Sequence, residues 1–273
     1  MTVTRIIKKI IKAILPHGIV VCWKRRQYRK SIIFFRKNSR KVQAIAELLA
    51  DERSKEVYLG VIKARCGLAQ YSDFYTKQVQ YFQNDFFEYG ENEVLIDCGA
   101  YDGNTINDFI KFVPNYKGII SFEATPATFE FLKKNHGNNS KIQLINKGVW
   151  SETTKLTFYE ISGYNNAANR FTFSPKMGEF HAITIDTISI DALELQEKVT
   201  LIKMDIEGAE LEALKGAKKT ILRDKPKLAI CLYHSDEDMI RIAEYVHEIV
   251  PEYKLYVRHH WINGAETVLY GCM

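Results

Sequence analysis

From Glu93 onward, short apolar runs alternate with segments of helical periodicity. Val94–Cys98, Gly118–Phe122, Ile142–Asn146, Lys155–Glu160, His181–Ile185, Val199–Met204 and Leu228–Tyr233 predict strands. Asn104–Phe112, Pro126–Asn135, Ala209–Leu222 and Asp236–Val250 predict helices between them, and Tyr253–Arg258 with Thr267–Gly271 predict a closing hairpin. Strands without polar alternation, separated by helices, indicate an α/β fold: a mostly parallel sheet with helices on both faces and an antiparallel hairpin at its end.

Ahead of this domain (93–273) the pattern is helical. In 42–92, Val42, Ala44, Ile45, Leu48 and Leu49 give one apolar face, and Tyr58, Leu59, Ile62 and Leu68 another. Residues 1–41 form a basic arm. Val3, Ile6, Ile7, Ile10, Ile11, Ile14 and Leu15 recur at i, i+3, i+4 spacing with Arg5, Lys8, Lys9 and Lys12 opposite. That predicts a short amphipathic helix stopping before Pro16.

Charge sharpens the division. The formal net charge is +5, yet 13 of the 38 basic residues lie in 1–41 and no acidic residue precedes Glu47. Positions 42–273 therefore hold 25 basic against 33 acidic residues, a balance of −8. A basic arm on an acidic body is suited to an anionic surface. The expectation is peripheral contact with an anionic membrane through residues 1–41, the alternative being an apolar stripe docked on the body. A nucleic-acid partner is disfavoured, since a broad basic face is expected around such a site.

The five cysteines are scattered, with no CxxC pair, and suit reduced thiols in a cytoplasmic protein. No run reaches the ~20 apolar residues of a membrane span. Ala13–Trp23 follows a basic start as a leader does, but it is broken by Pro16 and followed by dense charge, which counts against export.

The candidate chemistry begins in the loop Asp97-Cys98-Gly99-Ala100-Tyr101-Asp102-Gly103, which leaves a buried strand and opens a helix. In an open parallel sheet, ligands bind beyond such strand ends. The spacing is GxxxG, not the GxGxxG of dinucleotide sites. Asp97 and Asp102 would repel a pyrophosphate and attract a sulfonium, which favours S-adenosylmethionine over NAD. Glu123, ending the second strand, offers a carboxylate to ribose hydroxyls and does not itself name the cofactor.

The motifs VLIDCGAYDGNT, ISFEATPATFEFLKKN and LIKMDIEGAELEALKGA, with KPKLAICLYH and a tail reading RHH…ETVLYG, make the chain from about Tyr81 to Tyr270 resemble the FkbM family of S-adenosylmethionine-dependent methyltransferases. The resemblance implies a Rossmann-like class I fold with a seven-stranded sheet. It also implies O-methyl transfer, frequently to a saccharide or another secondary-metabolite hydroxyl. By position it assigns Asp97, Gly99 and Gly103 to the methionine portion, with Ala100, Tyr101 and Asp102 in the same loop. Glu123 falls to the ribose, and Asn146–Trp150, including Gly148 and Val149, lies near the adenine.

Asp205 ends the strand Val199–Met204, where the methyl donor is expected, and is also counted among the cofactor contacts. Asp205 or Glu207 is the expected general base, with Glu210 at a helix start and Lys203 in an ion pair with one of these acids. His234, ending LAICLYH, is the other base candidate because imidazole titrates near neutral pH. Arg258, His259 and His260 are candidates for the acceptor pocket, which would take a small molecule or glycan. Helix capping explains Asp236, Glu237 and Asp238 as well as metal binding does. No His/Cys/Asp set has convincing metal-ligand spacing, so no metal site is assigned and metal dependence stays open. The alternatives are an NAD-type oxidoreductase, a nucleic-acid methyltransferase using the arm, and a non-catalytic interaction protein.

Overall fold

A computed structural model describes residues 28–82, 85–161 and 180–273. The helix expected over 3–15 lies outside these residues. Ten strands are present: β1 Val94–Cys98, β2 Gly118–Phe122, β3 Ile142–Ile145, β4 Gly148–Val149, β5 Lys155–Ile161, β6 Phe180–Ile188, β7 Leu201–Met204, β8 Lys227–Cys231, β9 Lys254–His259 and β10 Thr267–Cys272. Seven form one sheet in the order β3-β2-β1-β7-β8-β10-β9. The first five in that order run parallel, and β10 is antiparallel to both neighbours. This is the Rossmann-like sheet that the apolar runs and the family motifs predict.

Two of the predicted strands leave that sheet. β5 and β6 pair antiparallel, and β6 takes β4 on its other edge, giving a separate three-stranded sheet. Alternation along the central strands divides the core between two faces. Leu95, Ile119 and Leu201 join Phe82, Phe109 and Tyr270 on one side. Ile96, Ile120 and Ile202 join Leu214, Val246 and Leu255 on the other.

Helices α1 (Ser39–Leu48) and α2 (Glu52–Arg65) precede β1 and belong to this second core. Asp51 caps α2 by accepting the Ser54 N–H at 2.6 Å. Val42 and Ile45 of α1 and Val57, Tyr58 and Val61 of α2 are buried there. α1 and α2 thus share a core with the sheet. The α-helices after β1 are α3 (Asn104–Phe112), α4 (Pro126–His136), α5 (Glu210–Lys215), α6 (Lys218–Asp224) and α7 (Asp238–Ile249).

The single helix expected over Ala209–Leu222 is two, α5 and α6. At Gly216 the backbone passes so close to Trp150 that an added Cβ would stand 2.2 Å from its carbonyl oxygen. Asp191 then starts α6 by accepting the Lys219 and Thr220 backbone N–H groups at 2.9 and 2.8 Å. No local periodicity signals a break imposed by a distant loop.

Candidate active site

The chain runs β1-β2-β3 toward one edge of the sheet and β7-β8 toward the other, so the order reverses between β1 and β7. Crevices open beyond the carboxyl ends of strands at such a switch point. Here the loops after β1 and β7 touch. Asp205 N–H donates to the Cys98 carbonyl at 3.1 Å. Gly99 has φ +83°, and a Cβ on it would lie 1.9 Å from the Asp205 carbonyl oxygen. Only glycine satisfies both conditions. Glu123, beyond β2, is tied to the same loop. Its carboxylate accepts the Tyr101 N–H at 3.1 Å and the Thr125 N–H at 2.9 Å, and Asn146 Nδ2 donates to its carbonyl at 2.8 Å.

A cleft of about 360 Å³ occupies this end of the sheet. It touches, in sheet order, Glu123 after β2, Gly99 after β1, Asp205 after β7, Tyr233 after β8 and Glu266 before β10. Four interstrand steps of about 4.8 Å make it roughly 19 Å long. Phe122, Val149, Phe158 and Ile206 supply apolar wall, while Glu123, Asp205, Glu207 and Glu266 supply carboxylates. Lys147 is the one lysine or arginine of the lining among the described residues. Phe158 comes from the small sheet, which therefore forms part of the wall.

Asp205 is the centre of the far half. Tyr81 and Tyr233 hydroxyls both donate to its carboxylate at 2.9 Å. Burial, then the Asp205 charge, raises the Tyr81 phenol well above its ordinary value, so it remains a donor. His234 Nε2 lies 3.4 Å from Asp205 and 3.5 Å from Glu207, and its Nδ1 lies 3.1 Å from Glu210. Burial opposes charging the ring, but Glu210 foremost, then Asp205 and Glu207, outweighs it, and the pKa rises to about 9. Glu266 is pushed above the usual carboxylate range by burial and then by Asp205.

Several sequence expectations are redrawn by this geometry. Gly99, Tyr101, Glu123, Gly148, Val149, Asp205 and Glu207 all line the cleft. Asp97 does not. It is fully buried, with Lys203 Nζ 3.1 Å from one oxygen and Ser121 Oγ 3.3 Å from the other. Asp102 accepts the Asn104 N–H at 3.2 Å at the start of α3 and is not part of the cleft lining. Neither of the two carboxylates read as attracting a sulfonium lines the cleft, and its acidic lining comes from Glu123, Asp205, Glu207 and Glu266. Ala100 and Gly103 shape the loop from behind. Gly103, at φ +91°, faces the His136 ring, which a Cβ would meet at 2.3 Å.

The acids around His234 favour its charged form, which works against the free base expected of it. Glu210 takes its helix-start role by accepting the Ile206 N–H at 2.8 Å. Arg258, His259 and His260 miss the cleft. Arg258 pairs with Asp51 at 2.8 Å. His259 is buried against Thr267, and His260 meets the Tyr270 hydroxyl at 2.8 Å. Burial lowers both histidines to about 4. The reason is topological: β10 inserts between β8 and β9, so the start of β10 reaches the site and the end of β9 does not. Tyr81, Tyr233 and Glu266 are the site residues that sequence reasoning missed.

Among the described residues, two groups bring possible ligand atoms within 4.8 Å: Asp205, Glu210 and His234, and Asp205, Cys231 and Glu266. In the first, His234 Nδ1 lies 3.1 Å from Glu210 and Nε2 lies 3.4 Å from Asp205. In the second, Cys231 Sγ is 3.5 Å from the Tyr81 hydroxyl, and burial raises the thiol well above its ordinary pKa. Both groups share Asp205, and each includes a carboxylate of the cleft lining.

The residues of the cleft fit the implied cofactor. Glu123 keeps lone pairs facing the cleft, Gly99 brings bare backbone to it, and the acidic lining matches a cationic sulfonium. Residues 97–255 match the family described as Methyltransferase FkbM domain, more than half of the chain. The 2-O-methyltransferase NoeI of Sinorhizobium fredii (strain NBRC 101917 / NGR234) is 24% identical over 162 residues, covering 54% of this chain and 65% of that protein. The crystal structure of methyltransferase FkbM from Methylobacillus flagellatus KT aligns with a TM-score of 0.74 at 26% identity, over 88% of this chain and 60% of that one. The chain thus spans less than two thirds of the length of each. With a family match that starts on the cofactor loop and runs past the strand end bearing Asp205, this chain belongs to the methyltransferase FkbM family.

Proposed function

We propose that the protein is an S-adenosylmethionine-dependent O-methyltransferase acting on a hydroxyl of a saccharide or glycolipid precursor. The observation that carries this reading is the order of the cleft. A ribose-type carboxylate, Glu123, lies over β2, and a hydroxyl-binding cluster, Asp205 and Glu266, lies over β7 and β10. The cofactor half is Gly99, Tyr101, Glu123, Gly148 and Val149. When bound, S-adenosylmethionine supplies a methyl group on a sulfonium, open to in-line attack by an oxygen.

The chain's own residues then have separable tasks. Asp205, held by two phenols, accepts a hydrogen bond from the acceptor hydroxyl and aims its oxygen. Glu266, raised by burial, takes the proton. The imidazolium of His234 keeps neighbouring carboxylates from repelling one another. The oxygen acceptor is supported by the Sinorhizobium relative, a 2-O-methyltransferase, and the saccharide class by the family resemblance.

Labelled methyl transfer from S-adenosylmethionine to fractionated cell-envelope precursors tests the acceptor class. Calorimetry with S-adenosylhomocysteine and with NAD tests the cofactor, and heat released by NAD alone would defeat the reading. Asp205→Asn is expected to lose most of kcat while still binding S-adenosylhomocysteine. Turnover equal to the wild type would remove Asp205 from the mechanism.

A further inference from the structure

The basic arm ends in described helix, and its placement goes beyond the reading of the cleft. Residues 28–37 are helical and continue through Asn38 into α1. One side docks: Phe35 is buried, and Phe34 packs against the core shared with α1 and α2. The other side is exposed and carries Arg29, Lys30, Ile32, Ile33, Arg36 and Lys37. Spacings of three, four and seven residues put these on one face. Ile33 is 56% exposed and Ile32 is 37% exposed, both set among cations.

Further along, Arg40 is exposed, whereas Lys41 is already paired with Glu244 at 2.9 Å. Among the described residues, none of Arg29, Lys30, Arg36, Lys37 and Arg40 has an acidic partner within ion-pair distance. A solvated helix face does not need two exposed isoleucines among unpaired cations. An anionic lipid surface uses both, with charge drawing the face down and aliphatic side chains entering the headgroup boundary.

We infer that this face, residues 29–40, is a docking surface for an anionic membrane. Its location suits an interfacial enzyme. Tyr28, where the described helix begins, packs on Gly67. Two residues before Gly67, Arg65 donates to the Tyr233 carbonyl at 2.6 Å and pairs with Asp236 at 2.8 Å. The start of the basic face therefore lies at the end of the sheet where the cleft opens. The acidic body, at −8 beyond position 41, is repelled by the same surface, so attraction and repulsion together orient the protein.

The test is flotation of the full chain with phosphatidylcholine vesicles, with and without phosphatidylglycerol. Partition into the phosphatidylglycerol vesicles alone is expected, released by high salt. Reversing four charges, Arg29→Glu, Lys30→Glu, Arg36→Glu and Lys37→Glu, is expected to lower partition more than ~100-fold. Ile33→Asn, at an exposed position, is expected to lower it about tenfold with Tm unchanged, which separates insertion from any folding defect. Wild-type partition by the four-charge variant would assign binding to other residues of the arm and overturn the inference. So would an Ile33→Asn variant that floats like the wild type, or a full chain that binds duplex RNA while ignoring both vesicles.

Discussion

The half of the cleft over β1 and β2 is built mainly from backbone groups, whereas the half over β7, β8 and β10 is built mainly from side chains. Tyr101 and the Glu123 it bonds are 22 positions apart. Tyr81 and the Asp205 it bonds are 124 positions apart. The first half works with backbone, through glycine geometry and N–H groups aimed at one carboxylate. The second works with side chains whose protonation is set by what buries them. The two halves should accordingly fail in different ways, the first by losing shape and ligand affinity together, the second by losing turnover while shape survives.

The largest effect is expected from Gly99→Ala. A Cβ there meets the Asp205 carbonyl oxygen and forces an L-residue to φ +83°. The strain alone is about 1–3 kcal/mol, and separating two strand-end loops adds to it. Tm is expected to fall sharply, with S-adenosylhomocysteine binding lost in calorimetry. Normal affinity in a variant of unchanged Tm would mean that the loops are not tightly coupled.

Glu266→Gln probes the other half. The amide keeps the shape and still meets Gln80, yet cannot take a proton. A loss of ~10²–10⁴ in kcat is expected, with S-adenosylhomocysteine affinity and Tm close to wild type. If kcat holds, the proton leaves by another route and Glu266 only positions the acceptor.

This contrast also decides what was legible in the sequence. The sheet, the cofactor loop and Glu123 were readable because each is encoded by a contiguous stretch. Asp97 was visible as a carboxylate but not as a buried one. Its environment is a cross-strand row, Ser121–Asp97–Lys203, fixed by the register of β2, β1 and β7. A pairing partner about a hundred positions away leaves no local mark beside the DCG motif. Glu266 was hidden for the same reason, since only the insertion of β10 between β8 and β9 brings it to the site in place of Arg258 and His259. His234 was found, but its charge state was not, because the acids that raise it come from another loop.

His234 offers a pH test of the side-chain half. Its folded pKa of about 9 lies above the ordinary 6.5. A raised pKa adds stability that is fully present below about pH 6.5 and lost as pH rises through about 9. Its size is about 3 kcal/mol. Thermal unfolding between these limits is expected to show Tm falling with pH in the wild type. His234→Gln is expected to start lower and change less over the same range. Parallel slopes would mean that the ring is neutral in the folded protein, restoring it as a free base.

The smallest expected effect sharpens the comparison most. Glu123 accepts two backbone N–H groups, and in Glu123→Gln one of those donors faces an amide N–H₂ instead. The loop then loses one anchor and the ribose loses a bidentate acceptor, so S-adenosylhomocysteine affinity is expected to fall ~10–100-fold. On the proposed mechanism the proton is handled over β7 and β10, so kcat at saturating cofactor should stay within about threefold of wild type. The carboxyl is raised chiefly by burial, so wild-type affinity should weaken on acidification at a higher pH than an exposed glutamate would impose, and the variant should lack that dependence. A fall in kcat as large as that of Glu266→Gln would mean that the two halves act as one unit, with the backbone half holding the acceptor as well as the cofactor.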